Sequence, residues 1–158
     1  MLAAVRNPSG KEAQGLESLS RSEGSQLLLV KIESTSNPDA VEAVESIQSQ
    51  GISHLDVVIA KTEAFLEVAR MKTSDLIEHI DVNVNGPIRL FQATLPLLRA
   101  AKQPKFVVIS SAVSTITNAE YISYTVTSYG ASKAALNFLL RRIHIENPDI
   151  VAIAFHPG

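Results

Sequence analysis

Unbroken apolar runs of strand length alternate along this chain with longer segments whose apolar residues return every three or four positions. The runs lie at 2–5, 26–32, 54–60, 105–110 and 150–155. Runs of this kind suit strands covered on both faces, as in a parallel sheet. Between them, residues 11–20 place Leu16 and Leu19 at helical spacing. Ser36-Asn37-Pro38 opens a second helix with Val41, Val44 and Ile47 on its apolar stripe, and Gly51 closes it. A third helix starts at a Thr73 or Ser74 cap and runs to about 101. Leu76, Ile80, Asn83, Pro87, Leu90 or Phe91, and Leu95 or Leu98 track one of its faces, and Pro87 and Pro96 are expected to bend or interrupt it. A fourth helix carries Tyr129 and Lys133 and stops at Asn147-Pro148-Asp149. Residues 61–72 and 114–127 read as irregular segments. The order β-α-β-α-β-α-β-α-β predicts right-handed crossovers and a doubly wound parallel sheet with helices on both faces, three layers in all. In such α/β sheets ligands sit beyond the carboxyl ends of the strands.

Composition narrows the classes. The 158 residues are 46% hydrophobic and 19% charged, a balance suited to one globular domain. A net charge of −2 offers no nucleic-acid surface. With no cysteine, disulfides, zinc-thiolate sites and thiol nucleophiles are excluded, which fits a reducing, cytoplasmic setting. No apolar run approaches the ~20 residues of a membrane helix, and Arg6-Asn7-Pro8 interrupts the apolar start before a secretory core could form. His54, His79, His144 and His156 show no metal-ligand spacing, and no Gly-x-Ser-x-Gly is present, so metal and serine-hydrolase chemistry are not expected.

One candidate for chemistry stands out. Tyr129 and Lys133 are four residues apart in Ser128-Tyr129-Gly130-Ala131-Ser132-Lys133-Ala134-Ala135, on one face of a helix. A phenol, with a reference pKa of about 10, is a poor acid near neutrality. A neighbouring ammonium favours the phenolate and makes the tyrosine a usable proton donor or acceptor. Taken alone, the same pair reads as a core tyrosine and a solvated surface lysine. Ser111, just past the fourth apolar run, reads alone as a cap or turn serine. Asn83, polar on an apolar helix face, reads alone as a structural amide that needs partners.

Together these residues resemble the short-chain dehydrogenase/reductase family, whose tetrad is Asn, Ser, Tyr and Lys in that chain order. Asn83-Val84-Asn85-Gly86 matches the Asn-x-x-Gly, Ser111 closes Ile109-Ser110-Ser111, and Tyr129 and Lys133 supply the Tyr-x-x-x-Lys. His156-Pro157-Gly158 is similar to the Pro-Gly that follows the family's sixth strand. Residues 4–8, 55–60 and 86–92 resemble the fungal norsolorinic acid ketoreductase-like branch. The resemblance covers the whole chain. It implies a Rossmann-like domain over residues 1–158 and an NADP-dependent oxidoreductase, a ketoreductase of secondary-metabolite, polyketide-type biosynthesis acting on a small carbonyl or alcohol. It implies that Tyr129 donates the proton, Ser111 hydrogen-bonds the reacting oxygen, Lys133 tunes Tyr129 and holds the nicotinamide ribose, and Asn83 supports a proton-relay water. It also implies cofactor contacts from Arg6, Glu33, Tyr129, Lys133, Pro157 and Gly158, and a homo-oligomer through the helices bearing Asn83 and Tyr129. Arg6 follows the first run where an acid would favour NAD, so NADP(H) is the expected cofactor. Glu33 stands where the family has Asp against adenine.

Three departures qualify the resemblance. The family's first strand and its Gly-x-x-x-Gly-x-Gly turn, whose amides hold the pyrophosphate, have no counterpart in the sequence. Lys61-Thr62-Glu63 replaces the family's Asn-Ala-Gly. The family's substrate loop, further helix and seventh strand find no counterpart after Gly158. The expectation is an incomplete domain, truncated at both ends, lacking the first and the C-terminal strand. A missing central strand leaves a gap of roughly two ~4.8 Å strand spacings. Either the first and third runs pair directly, the first pair stands apart, or another chain fills the slot. The alternative reading is a catalytically inactive remnant or a partner of a full-length reductase.

Overall fold

The computed structural model describes residues 1–60, 68–122 and 126–157. Two compact units divide the chain, Met1–Ile52 and Ser53–Gly158. Among the described residues, five strands form two parallel sheets, one in each unit.

In the first unit β1 (Leu2–Val5) pairs with β2 (Leu28–Lys31), in register from Leu2 opposite Leu28 to Val5 opposite Lys31. The short helix α1 (Lys11–Glu17) connects them, and α2 (Asp39–Ser49) follows. β2 is shorter than the apolar run that predicts it. Among the described residues neither strand is covered on both faces: Ala4 and Lys31 are exposed and the other positions only half-buried. The buried stripe of α2 is Ala40, Ala43 and Ile47, while Val41 is 49% exposed, so the expected stripe is rotated by one position at its start. Asp39 accounts for the rotation. Its carboxylate accepts the Ser36 hydroxyl at 2.5 Å and the Glu33 backbone N–H at 2.9 Å, and it pairs with Lys31 at 3.1 Å. These contacts hold the first turn of α2 against the end of β2. The Ser36 hydroxyl, then the Glu33 amide and Lys31, bring the Asp39 carboxyl down to about 2. Gly51, at φ +86°, takes the left-handed conformation that ends a helix, as expected.

In the second unit β3 (Val57–Ala60), β4 (Lys105–Ile109) and β5 (Val151–Phe155) pair in that order, all parallel. Val57 lies opposite Lys105, and Lys105 opposite Val151. Alternation along the pleat sends Phe106 and Val108 of β4 into a core with Val58 and Ala60. Phe91 and Leu98 of α4 (Gly86–Arg99), Leu136, Leu140 and Ile143 of α5 (Thr127–Glu146), and Val84 and Ile150 complete it. Phe91 and Phe106 meet edge to face at 5.1 Å. The other side of the sheet is not covered in the way the apolar runs predict: Ile59 is 61% exposed and Phe155 51%.

The expected long helix from Thr73 is three pieces: α3 (Thr73–Ile80), a π-helical turn (Asp81–Asn85) and α4. Pro87 has no N–H to give the Asn83 carbonyl in the α register. The Gly86 N–H reaches the Asp81 carbonyl, one residue further back than in an α-helix. Pro96, by contrast, lies inside a continuous α4. The cap of α3 is Lys72 rather than Thr73 or Ser74, because the Lys72 backbone N–H is taken by the Asp75 carboxylate at 3.0 Å. The segment after β4 contains short 3-10 turns at Ala112–Ser114 and Ala119–Tyr121. Lys61, Glu63 and Gly158 lie outside the described residues.

Candidate active site

The second unit holds all four residues of the expected tetrad. Tyr129 and Lys133 lie in the first two turns of α5, both buried, and Lys133 is fully so. The plain reading of Lys133 as a solvated surface charge does not hold. An ammonium removed from water needs partners. Lys133 Nζ donates to the Ile109 carbonyl at 2.8 Å and lies 5.3 Å from the centre of the Tyr129 ring. The contact to Ile109 ties the lysine to the carboxyl end of β4, two residues before Ser111.

Ser111 is half-buried and extended, and it begins the 3-10 turn that follows β4. Its hydroxyl accepts the Val113 N–H at 3.4 Å. On the helix side, Gly130 brings α5 close to this turn. A Cβ built on Gly130 would stand 2.8 Å from the Val113 carbonyl oxygen, a backbone atom that cannot swing away.

Asn83 sits in the π turn and is 1% exposed. Its Nδ2 donates to the Ser132 hydroxyl at 2.8 Å, and Ser132 in turn donates to the Tyr129 carbonyl at 2.7 Å. The buried amide has the partner that an apolar helix face demands. Around it, Asp81 accepts from Arg89 at 2.8 Å and from Asn85 at 3.1 Å, closing a clasp across the π turn. Arg89 first, then Asn85, hold the Asp81 carboxyl below its usual range.

Arg6 and Glu33 belong to the first unit, at the carboxyl ends of neighbouring strands. Arg6 follows Val5 directly and is exposed. Glu33 follows Ile32, whose N–H donates to the Val5 carbonyl at 3.0 Å. Pro157 follows the carboxyl end of β5 and is exposed. A cavity of about 300 Å³ lies over the start of α5, lined by Val113, Ile116, Ile122, Val126 and Ala134 among others, and no tetrad residue lines it.

Four structural partners escape the sequence reading: Ser132, Asn137, and Asp81 with Arg89. Ser132 and Asn137 each lie three or four residues from a residue already singled out, so helical spacing from Tyr129 and Lys133 could have found them. The eight-residue separation of Asp81 and Arg89 carries no such signal, because it depends on the π turn.

A model of the short chain dehydrogenase family matches residues 2–158. The short chain dehydrogenase gsfK of Penicillium aethiopicum is 40% identical over 164 residues, covering 100% of this chain and 64% of the relative. The norsolorinic acid ketoreductase of Aspergillus parasiticus is 39% identical over 149 residues, covering 90% of this chain and 55% of the relative. The chain thus spans less than two thirds of the length of these curated relatives. Among solved structures, an NADPH-bound carbonyl reductase from chicken fatty liver superposes with a TM-score of 0.88 at 28% identity, covering 99% of this chain and 64% of that one.

Proposed function

The chain belongs to the short-chain dehydrogenase family, and from that premise we propose that it is an NADP(H)-dependent reductase of a small-molecule carbonyl, working in secondary metabolism. The observation that carries the reading is the fully buried Lys133 beside Tyr129, fastened to the strand end that leads into Ser111. Residues 1–158 are proposed as one Rossmann-like domain, spanning 64% of the length of the gsfK relative. Its relatives at about 40% identity include norsolorinic acid ketoreductases, which supports a polyketide-type ketone as substrate.

The cofactor reading agrees with where the residues stand. Arg6 and Glu33 follow adjacent strand ends in one unit, and Ser111 and Pro157 follow strand ends in the other. Carboxyl ends of parallel strands are where such sheets bind nucleotides. By the family resemblance, Arg6 is proposed for a 2′-phosphate and Glu33 for adenine in the first unit, and Lys133, Pro157 and Gly158 for the nicotinamide end in the second. Bound NADPH supplies the hydride. Tyr129 gives its phenolic proton to the carbonyl oxygen, Lys133 favours the resulting phenolate, and Ser111 hydrogen-bonds the same oxygen as negative charge develops on it. Asn83, through Ser132 and the Tyr129 carbonyl, holds the backbone of the proton donor. Ile77 on α3 and Phe138 on α5 are both more than two thirds exposed, which supports a homo-oligomer through these helices.

The test is NADPH consumption with an aromatic ketone, in the chain and in Tyr129→Phe. Loss of the phenol should lower kcat by about 10²–10⁴-fold. Equal rates in the two would refute Tyr129 as donor.

A further inference from the structure

We propose that Asn137 is a positioning residue that sets the backbone of Ser111, gripping the chain on both sides of it. This rests on the proposed role of Ser111 as the partner of the reacting oxygen.

Asn137 stands one helical turn beyond Lys133 on α5. Its Oδ1 accepts the hydroxyl of Ser110 at 2.7 Å, and its Nδ2 donates to the hydroxyl of Ser114 at 2.8 Å. The Ser114 hydroxyl then donates to the Ser111 carbonyl at 2.6 Å, and the Ser114 N–H reaches the same carbonyl at 3.0 Å. The direction of each bond follows from the others. Ser114 has one hydroxyl proton, already given to Ser111, so it must accept from Asn137 and the amide must present nitrogen there. The other end of the amide is then an acceptor, as Ser110 requires.

The residue before Ser111 and the residue three after it are therefore held by a single side chain. Lys133 adds a third hold on the same segment, at the Ile109 carbonyl. On its far side Ser110 is fixed by its N–H to the Phe155 carbonyl at 2.8 Å. The tyrosine, the lysine and this clasp all project from α5, so the helix sets the serine segment in the same frame as the proton donor. A primary amide suits the position because it accepts at one end and donates at the other. A carboxylate can only accept, and would compete with Ser111 for the Ser114 proton.

Hydrogen exchange of the backbone amides tests the grip without relying on catalysis. In Asn137→Leu the amides of Ser114 and Thr115, which bond the Ser111 and Ala112 carbonyls, should exchange about tenfold faster or more. Those of residues 139–143 in α5 should keep their protection. Ser114→Ala removes one hydroxyl with little risk to folding and should reproduce much of the effect. Asn137→Asp should keep the Ser110 half and resemble Ser114→Ala rather than Asn137→Leu. Unchanged exchange at Ser114 and Thr115 in both Asn137→Leu and Ser114→Ala would overturn the proposal. In carbonyl reduction, Asn137→Leu should lower kcat by about 10–100-fold and leave the NADPH Kd unaltered. A matching loss of cofactor affinity would reduce Asn137 to a general structural residue. If the unaltered chain reduces no carbonyl, the role of Ser111 fails, and the exchange pattern alone decides the grip.

Discussion

The two units of this chain differ in how much holds them together. The buried apolar side chains of the first, among the described residues, are Ala13, Ala40, Ala43 and Ile47. The second unit buries Phe91, Leu98, Phe106, Val108, Leu136, Leu140, Ile143 and Ile150 around a three-stranded sheet. Burial of a Leu- or Phe-sized side chain contributes about 1.5–3 kcal/mol, and Ala much less. The tetrad falls wholly in the better-packed unit, whereas Arg6 and Glu33 fall in the other. The role proposed for these residues needs neighbours that cannot give way, and α5 provides them for Tyr129 and Lys133.

The largest expected effect tests that contrast directly. Phe106→Ala removes the centre of the second core and the edge-to-face contact with Phe91. It should cost about 3–5 kcal/mol, read as a shifted denaturation midpoint. A cost below about 1 kcal/mol would end the claim that this core supports the site. Gly130→Ala comes next. The added Cβ meets a backbone oxygen at 2.8 Å, so α5 or the Ser111 turn must shift, at about 1–3 kcal/mol. Crystallography of that variant should show the turn displaced from the helix. An unmoved turn with full stability would mean that the close approach is not needed.

The smallest effects are in acid. Asp39 and Asp81 both have carboxyls held below their unfolded value near 3.8. Each therefore contributes stability that is complete above that value and fades as pH falls through the folded one, about 2 for Asp39. Asp39→Asn should flatten the acid limb of the first unit, followed by hydrogen exchange at β2. Arg89→Met should flatten that of the second unit by the ~0.2–1 kcal/mol of a part-exposed pair. An acid limb identical to that of the unaltered chain would remove the corresponding carboxylate from the account.

Strands were legible because short apolar runs say the same thing wherever they fall, and all five lie within the predicted runs. Their two-sided cover was not, because Ile59 and Phe155 read as core residues in sequence while only the shape of the sheet decides which face is packed. The motifs that suggest the tetrad were legible in their chain order. What the residues touch was less so. Lys133 reads as a surface charge until the fold buries it against Ile109, and Asn83 finds Ser132 only across 49 residues of chain. The π turn was half-legible: Pro87 announces a break, but nothing local says that the helix will widen rather than kink. The rotation of α2 was hidden for the same reason, since Asp39 acts through Ser36 and Glu33 in the turn before it.

A reductase must first hold its cofactor, so the most direct measurement is a titration of the chain into NADPH, following nicotinamide fluorescence. Saturable binding is expected, weakened by Arg6→Ala at the residue proposed to meet the 2′-phosphate. A folded chain that shows no saturable binding would contradict it, and would leave a catalytically silent relative of the ketoreductases in its place.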